Sequence, residues 1–196
     1  MSEITIRALN GQDVLPYIDE LAKLRIAVFR EWPYLYDGNT ASEYEYLEVF
    51  AQGTDSFMAL AFDGAQVVGA STAMPMAVQL EEVMAPWRDA GYDLSTIGYY
   101  GESVLLPAYR SRGIGVAFFE YREAFARSRG FGLATFCGVV RPADHPLRPA
   151  GYRPLDAFWT RRGFEPTDLY CRMSWQDIDE PGETHKPLRF WEKKLS

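Results

Sequence analysis

The residues best placed to do chemistry lie in one segment, Glu102-Ser-Val-Leu-Leu-Pro-Ala-Tyr-Arg-Ser-Arg-Gly-Ile-Gly115. An apolar strand end runs into a turn holding Arg110, Arg112, Gly113 and Gly115, and a helical pattern starts at once. Glycine admits the left-handed backbone that turns successive N–H groups toward one centre. A helix start adds unpaired N–H groups and the positive end of its dipole. Two arginines add full charges that pair well with phosphate oxygens. The segment therefore reads as an anion cradle, and pyrophosphate fits it best. It is not the dinucleotide-binding turn, which needs a third glycine where Phe118 stands. Nor is it a P-loop, because the Gly-Lys-Ser/Thr of that motif is missing.

The elements that must hold this segment follow from periodicity. Residues 3–9 alternate apolar and polar as a strand does. Over 11–30, Val14, Ile18, Leu21, Leu24 and Ile26 recur near one helical face, with Asp13 placed to cap it. Pro33 and Gly38 break that helix; 40–51 resumes it, with Ser42 and Glu45 spaced as a capping box. Strands at 56–62 and 67–74 flank Asp63-Gly64, a hairpin turn. A helix over 78–90, a strand over 97–106 and a helix over 115–129 come next, the helices stopped by Gly91 and Gly130. A buried strand at 133–140, a short helix at 155–162 and a hairpin of 168–175 with 188–194 through a long connection complete the chain. Antiparallel strands joined to one strand–helix–strand crossover predict a single α/β (α+β) domain over 1–196. Its sheet is mixed, twisted and mostly antiparallel, with helices on both faces in three layers.

Composition excludes several classes. A chain of 196 residues is one domain by length and can bury its own core. Two cysteines make no disulfide scaffold, and two distant histidines leave little for a zinc or di-iron site. An excess of 27 acidic over 20 basic residues argues against nucleic acid. No apolar run approaches the ~18 residues of a membrane span, and the N-terminus lacks a basic, apolar leader. A cytoplasmic protein without a metal is the expectation.

Two segments carry a resemblance. Leu105-Leu106-Pro107-Ala108-Tyr109-Arg110-Ser111-Arg112-Gly113-Ile114-Gly115 resembles the central signature of the GNAT family of N-acetyltransferases: an apolar strand end, a Pro, an aromatic, then Arg/Gln-x-x-Gly-x-Gly/Ala. Phe158-Trp159-Thr160-Arg161-Arg162-Gly163-Phe164 resembles the family's Phe-Tyr-x-x-x-Gly-Phe. The resemblance implies a three-layer GNAT-like fold and acetyl-CoA as co-substrate. It implies that backbone N–H groups of Arg110, Ser111, Arg112, Gly113, Ile114 and Gly115 hold the pyrophosphate. Val104 and Leu105 would pair with the pantetheine amides like an added strand.

Acetyl transfer needs a base, because an alkyl ammonium with a pKa near ~10 offers little free amine at neutral pH. Glu102 is that candidate; its other role is a strand glutamate facing solvent or pairing with an arginine. Where many family members carry a tyrosine acid, this chain has Trp159, whose indole is no useful proton donor. Trp159 then packs either on the pantetheine arm or in the core. Tyr170, Tyr152 or Cys171 protonates the sulfur, or the thiolate leaves unassisted, or the domain binds acyl-CoA without turnover.

Tyr34, Tyr36 and Tyr99 are the expected acceptor-lining residues, within an aromatic and acidic region suited to a cationic amine. Arg141, Arg148, Arg153, Arg161 and Arg162 point the other way, toward a carboxylate, the CoA 3′-phosphate or surface acids. The sequence thus predicts an acetyl-CoA-dependent N-acetyltransferase for a small-molecule or amino-acid-like amine. The alternatives are a non-catalytic acyl-CoA-binding regulatory domain and a protein N-acetyltransferase. Phe190 and Trp191 in the C-terminal hairpin suggest a homodimer interface.

Overall fold

The computed structural model describes residues 3–53 and 55–195. Its seven strands are β1 Ile4–Asn10, β2 Phe57–Asp63, β3 Gln66–Pro75, β4 Ile97–Leu105, β5 Leu133–Val139, β6 Glu165–Gln176 and β7 Glu183–Lys194. They form one sheet in the order β1-β2-β3-β4-β5-β7-β6. Every neighbouring pair is antiparallel except β4 with β5. This is the mixed, mostly antiparallel sheet that the element order predicts.

Helices cover both faces. α1 Ile18–Phe29 and α2 Thr40–Gln52 bury Leu21, Leu24, Leu47 and Phe50 against Met58, Leu60, Ala70 and Val104. α3 Glu81–Asp89 packs Val83 and Trp87 on the same face, against Ile97, Tyr99, Cys137 and Phe190. α4 Ile114–Ser128 lies on the other face, where Phe118, Phe119 and Phe125 meet Ala59, Val68, Tyr100 and Phe136. The buried α4 positions Ile114, Phe118, Arg122 and Phe125 recur every three or four residues, one face of a helix. Burying each such phenylalanine contributes about 1.5–3 kcal/mol. α5 Asp156–Arg161 adds Phe158 and Trp159 to this second layer.

Several boundaries differ from the sequence expectation. The 11–30 pattern is divided: a 3-10 helix runs over Gly11–Tyr17 and contains Pro16, and α1 starts at Ile18. Pro16 has no N–H to donate, so that stretch cannot join the α-helical ladder intact. The α2 cap is Asn39, whose side chain accepts from the Ser42 amide at 3.0 Å, rather than Ser42 with Glu45. β6 and β7 are longer than expected and the hairpin connection is short, because the two strands pair as far as Gln176 with Glu183.

Phe190 and Trp191 are 0% and 5% exposed and fill opposite faces of β7. They are core residues and offer no interface, so the homodimer expectation loses the feature that suggested it. Among the described residues, no helix is long and apolar enough to cross a membrane. No group of His, Cys, Asp and Glu among them could hold a metal ion.

One feature of the sheet positions a site. β4 and β5 pair only at Ile97, Gly98 and Tyr99 with Leu133, Ala134 and Thr135. Beyond Tyr99 the two strands part. β4 continues to Leu105 with only β3 beside it, and β5 continues to Val139 with only β7 beside it.

Candidate functional site

The anion cradle stands at the open end of this parting, where β4 runs out. Pro107–Tyr109 make a 3-10 turn, and the Tyr109 hydroxyl donates to Asp63 at the end of β2 at 2.8 Å, fixing the approach. Ser111 and Gly113 take left-handed backbone, φ 61° and 84°, and α4 begins at Ile114. A Cβ built on Gly113 would meet nothing within 4 Å, so glycine is needed there for its backbone angle and not for space. The amides of Ser111, Arg112, Gly113, Ile114 and Gly115 donate to no backbone or side-chain acceptor among the described residues. A run of free N–H groups at a helix start is a ready anion site.

Arg110 departs from its expected part. Its amide closes the 3-10 turn on the Pro107 carbonyl at 3.2 Å. Its guanidinium bridges Glu31 at 2.7 Å and donates to the Leu105 carbonyl at 3.1 Å. The free run therefore starts at Ser111. Arg112 is exposed, its guanidinium over the Tyr109 ring at 5.2 Å.

Val104 is fully buried and Leu105 partly so; both sit on the stretch of β4 whose second edge faces no strand. Trp159 packs on β5 from the α4 side. A Cβ on Gly138 would lie 2.9 Å from its ring, and Phe136 and Trp191 stand edge-on at 5.0 Å. Of its two expected roles, the core contact is therefore made.

Glu102 lies where a β-bulge interrupts the β3–β4 register, and its amide donates to Thr72 Oγ1 at 2.9 Å. Its side chain turns to the α1–α2 face and is not solvent-facing. Arg25 of α1 pairs through Nη1 with Glu102 and through Nε with Glu43 of α2. The three side chains are only 10%, 9% and 3% exposed. Glu102 Oε1 is buried and has no hydrogen-bond partner. Tyr36 hydrogen-bonds Glu43, and burial with that neighbouring carboxylate pushes its hydroxyl up to about 12.

A second buried cluster adjoins it. Tyr99 shares a 3.2 Å contact with Cys137 Sγ across the β4–β5 gap. Burial raises both Tyr99 and Tyr34 well above the usual tyrosine range, so both hydroxyls stay protonated. Cys171 is raised by its hydrogen bond to Cys137 and by burial, so it is an inert thiol and no acid at neutral pH.

The loop carrying Tyr34 and Tyr36 is strapped to the far end of the sheet. Arg141 donates to the carbonyls of Pro33 at 2.8 Å and Tyr34 at 2.6 Å, and grips Asp177 at 2.5 and 3.0 Å. Leu35, at φ 56°, accepts from the Ile178 amide at 2.7 Å. Arg141 is thus a structural cation, unavailable to a substrate carboxylate. Arg148 donates to the Ala143 carbonyl at 2.9 Å. Arg161 and Arg162 line a polar cavity of about 290 Å³ with Glu120, Glu123 and Lys193, on the α4 face, opposite Glu102. Tyr170 is 47% exposed on β6, the edge strand, with the Arg189 guanidinium 5.8 Å from its ring. The structure joins Tyr36 to Glu102 through Glu43 and Arg25, and sets Tyr99 against Cys137. It does not bring Tyr170 to either group.

Arg25 has no part in the sequence expectation, and Glu43 enters it only as one acid of the aromatic, acidic region expected to face a cationic amine. Their signal is present in hindsight of helical period: Leu21, Arg25 and Phe29 share one face of α1, and Glu43, Leu47 and Phe50 share one face of α2. A charge on a buried stripe demands a partner.

No protein-family model and no curated protein matches the sequence. Solved structures do match. A ribosomal-protein-alanine N-acetyltransferase from Brucella melitensis aligns over 97% of this chain and 99% of its own, at 15% identity and a TM-score of 0.63. PaiA N-acetyltransferase from Thermoplasma acidophilum, solved in complex with coenzyme A, aligns over 98% of this chain and 99% of its own, at 14% identity and a TM-score of 0.60. A GNAT-family acetyltransferase from Streptococcus pneumoniae aligns over 98% of this chain and 100% of its own, at 14% identity and a TM-score of 0.59. Over nearly its whole length, the chain has the fold of the GNAT acetyltransferases.

Proposed function

We propose that this protein is an acetyl-CoA-dependent N-acetyltransferase of the GNAT type, acting on a cationic small-molecule or amino-acid-like amine. The observation that carries this reading is the run of free amides at Ser111–Gly115, standing where β4 and β5 part. The fold of the matched acetyltransferases, one of them solved with coenzyme A, supports it.

In this reading the amides of Ser111 to Gly115 bind the pyrophosphate. The unpaired edge of β4 at Val104 and Leu105 guides the pantetheine arm. The thioester supplies the activated acetyl group. Glu102 Oε1, buried and without a partner, accepts a proton from the acceptor ammonium, directly or through water. The neutral amine attacks the thioester carbon; a C–N bond forms and the C–S bond breaks. A β4 amide near Val104 stabilises the carbonyl oxygen. Tyr34, Tyr36 and Tyr99 lie along the acceptor side, the first and last as protonated, buried hydroxyls. The sulfur leaves as thiolate, tolerable with a thiol pKa near ~8.5. The attacking nitrogen gives its second proton to solvent as the amide forms, and the thiolate takes its proton from solvent; Tyr170, on the edge strand two strands beyond β5, has no part in this step.

The test mixes purified protein with acetyl-CoA and a broad panel of amines, and follows free thiol. Thiol release with at least one amine supports the reading. Binding of acetyl-CoA without release for any amine or peptide favours a non-catalytic acyl-CoA-binding domain instead.

A further inference from the structure

We propose that Arg25 and Glu43 are positioning residues: together they aim the Glu102 carboxylate and set its basicity toward a cationic acceptor. The inference rests on Glu102 as the base of the reaction proposed above. It starts from an imbalance of charge. One buried guanidinium serves two buried carboxylates, Glu43 through Nε and Glu102 through Nη1. The guanidinium is held in place by the Tyr46 and Phe29 rings, 4.2 and 5.1 Å from Cζ. A purely structural ion pair needs one carboxylate. The second leaves the trio with one net negative charge, away from water, where an excess charge is unfavourable until a cation meets it.

The geometry says which oxygen awaits that cation. Glu43 is satisfied by Arg25 and by the Tyr36 hydroxyl. Glu102 gives Oε2 to Arg25 and leaves Oε1 buried and unpartnered. The trio therefore presents a single unfilled acceptor, on the strand that borders the β4–β5 gap.

Basicity follows from the same arrangement. A guanidinium in contact lowers a carboxylate pKa by about 1–3 units, which alone would make Glu102 a poor base. Glu43 opposes this as a second negative charge on the same guanidinium. The groups facing Glu102 are Arg25 from α1, Glu43 from α2, Tyr36 from the loop behind Glu43, and the Thr72 hydroxyl from β3, which holds its amide.

The experiment follows Glu102 by carboxyl ¹³C NMR titration in wild type, Glu43→Gln and Arg25→Gln. The pH profile of kcat/KM is recorded on the same proteins, with acetyl-CoA and an amine active in the panel above. In Glu43→Gln, Arg25 acts on Glu102 undivided, and the Glu102 midpoint and the acid limb of kcat/KM fall together by about one unit. In Arg25→Gln both rise by about one unit or more. Shifts of opposite sign from two neighbours are not what a packing defect produces, since that lowers the rate without moving the limb. Should Arg25→Gln fail to fold, Glu43→Gln decides alone, because its amide keeps the shape and an oxygen for Arg25. An unmoved Glu102 midpoint in Glu43→Gln overturns the proposal. A moved midpoint beside an unmoved activity limb upholds the coupling and instead removes Glu102 as the base.

Discussion

The two ends of the site are built from different materials. The cradle is backbone: five consecutive amides, two left-handed residues and a helix start, with side chains at its margin. The acceptor side is side chains: Arg25, Glu43, Glu102 and Tyr36 in one buried network, and Arg141, Asp177 and Lys186 in another behind it. A backbone site recognises a common feature, such as a pyrophosphate, and tolerates change in its side chains. A buried charge network is specific and brittle, because removing one member strands the others.

That contrast can be broken in order of size. Asp177→Ala leaves the buried Arg141 without its carboxylate, while Lys186 keeps Glu180. We expect a loss of about 3–5 kcal/mol in denaturant unfolding. A loss below about 1 kcal/mol would mean that water reaches Arg141, and that the strap on the Tyr34 loop is weaker than its geometry suggests. Gly113→Val comes next. A β-branched residue at φ 84° costs about 1–2 kcal/mol, and rebuilding the turn misdirects at least one N–H that bonds a charged ligand, worth about 1.5–3 kcal/mol. Coenzyme A affinity by calorimetry should fall by on the order of 100-fold with the fold retained. Unchanged affinity would sink the cradle assignment.

Gly138→Ala is smaller. The new methyl would sit 2.9 Å from the Trp159 ring, and moving that ring costs about 1–3 kcal/mol of stability. If Trp159 instead swings away freely, melting is unaltered and the ring is not the fixed wall of β5 described above. Arg112→Ala is smallest. An exposed arginine beside a backbone site adds only a screened charge, so coenzyme A affinity should drop a few-fold at low salt and less at high salt. A 100-fold loss there would move the cradle from backbone to side chain.

The same contrast explains what was legible in the sequence. Pro107, Gly113 and Gly115 specify backbone geometry locally, so the strand end, turn and helix start could be read off the chain. The parting of β4 and β5 could be expected only through the resemblance, since it arises from strand pairing and not from any one residue. Arg25 and Glu43 stand 18 residues apart and meet only because α1 and α2 pack side by side. Each shares a helical stripe with core residues, but which carboxylate meets which cation is decided by tertiary packing. Arg141 is the converse case: in an arginine-rich loop it reads as a ligand for anions, yet three backbone or carboxylate partners consume it. Trp159 is marked by its position in a motif and Tyr170 only as a candidate acid in its stead; the surroundings of both are set by neighbouring strands.

The most direct test of the account is the rate of thiol release by Glu102→Gln across the pH range, with acetyl-CoA and a cationic amine that the wild type uses. A lost general base predicts a fall of on the order of 100-fold at neutral pH. Part of the rate should return at alkaline pH, where the amine loses its proton to water unaided. A wild-type rate at neutral pH would contradict the account and leave the buried Glu43–Arg25–Glu102 trio as structure alone.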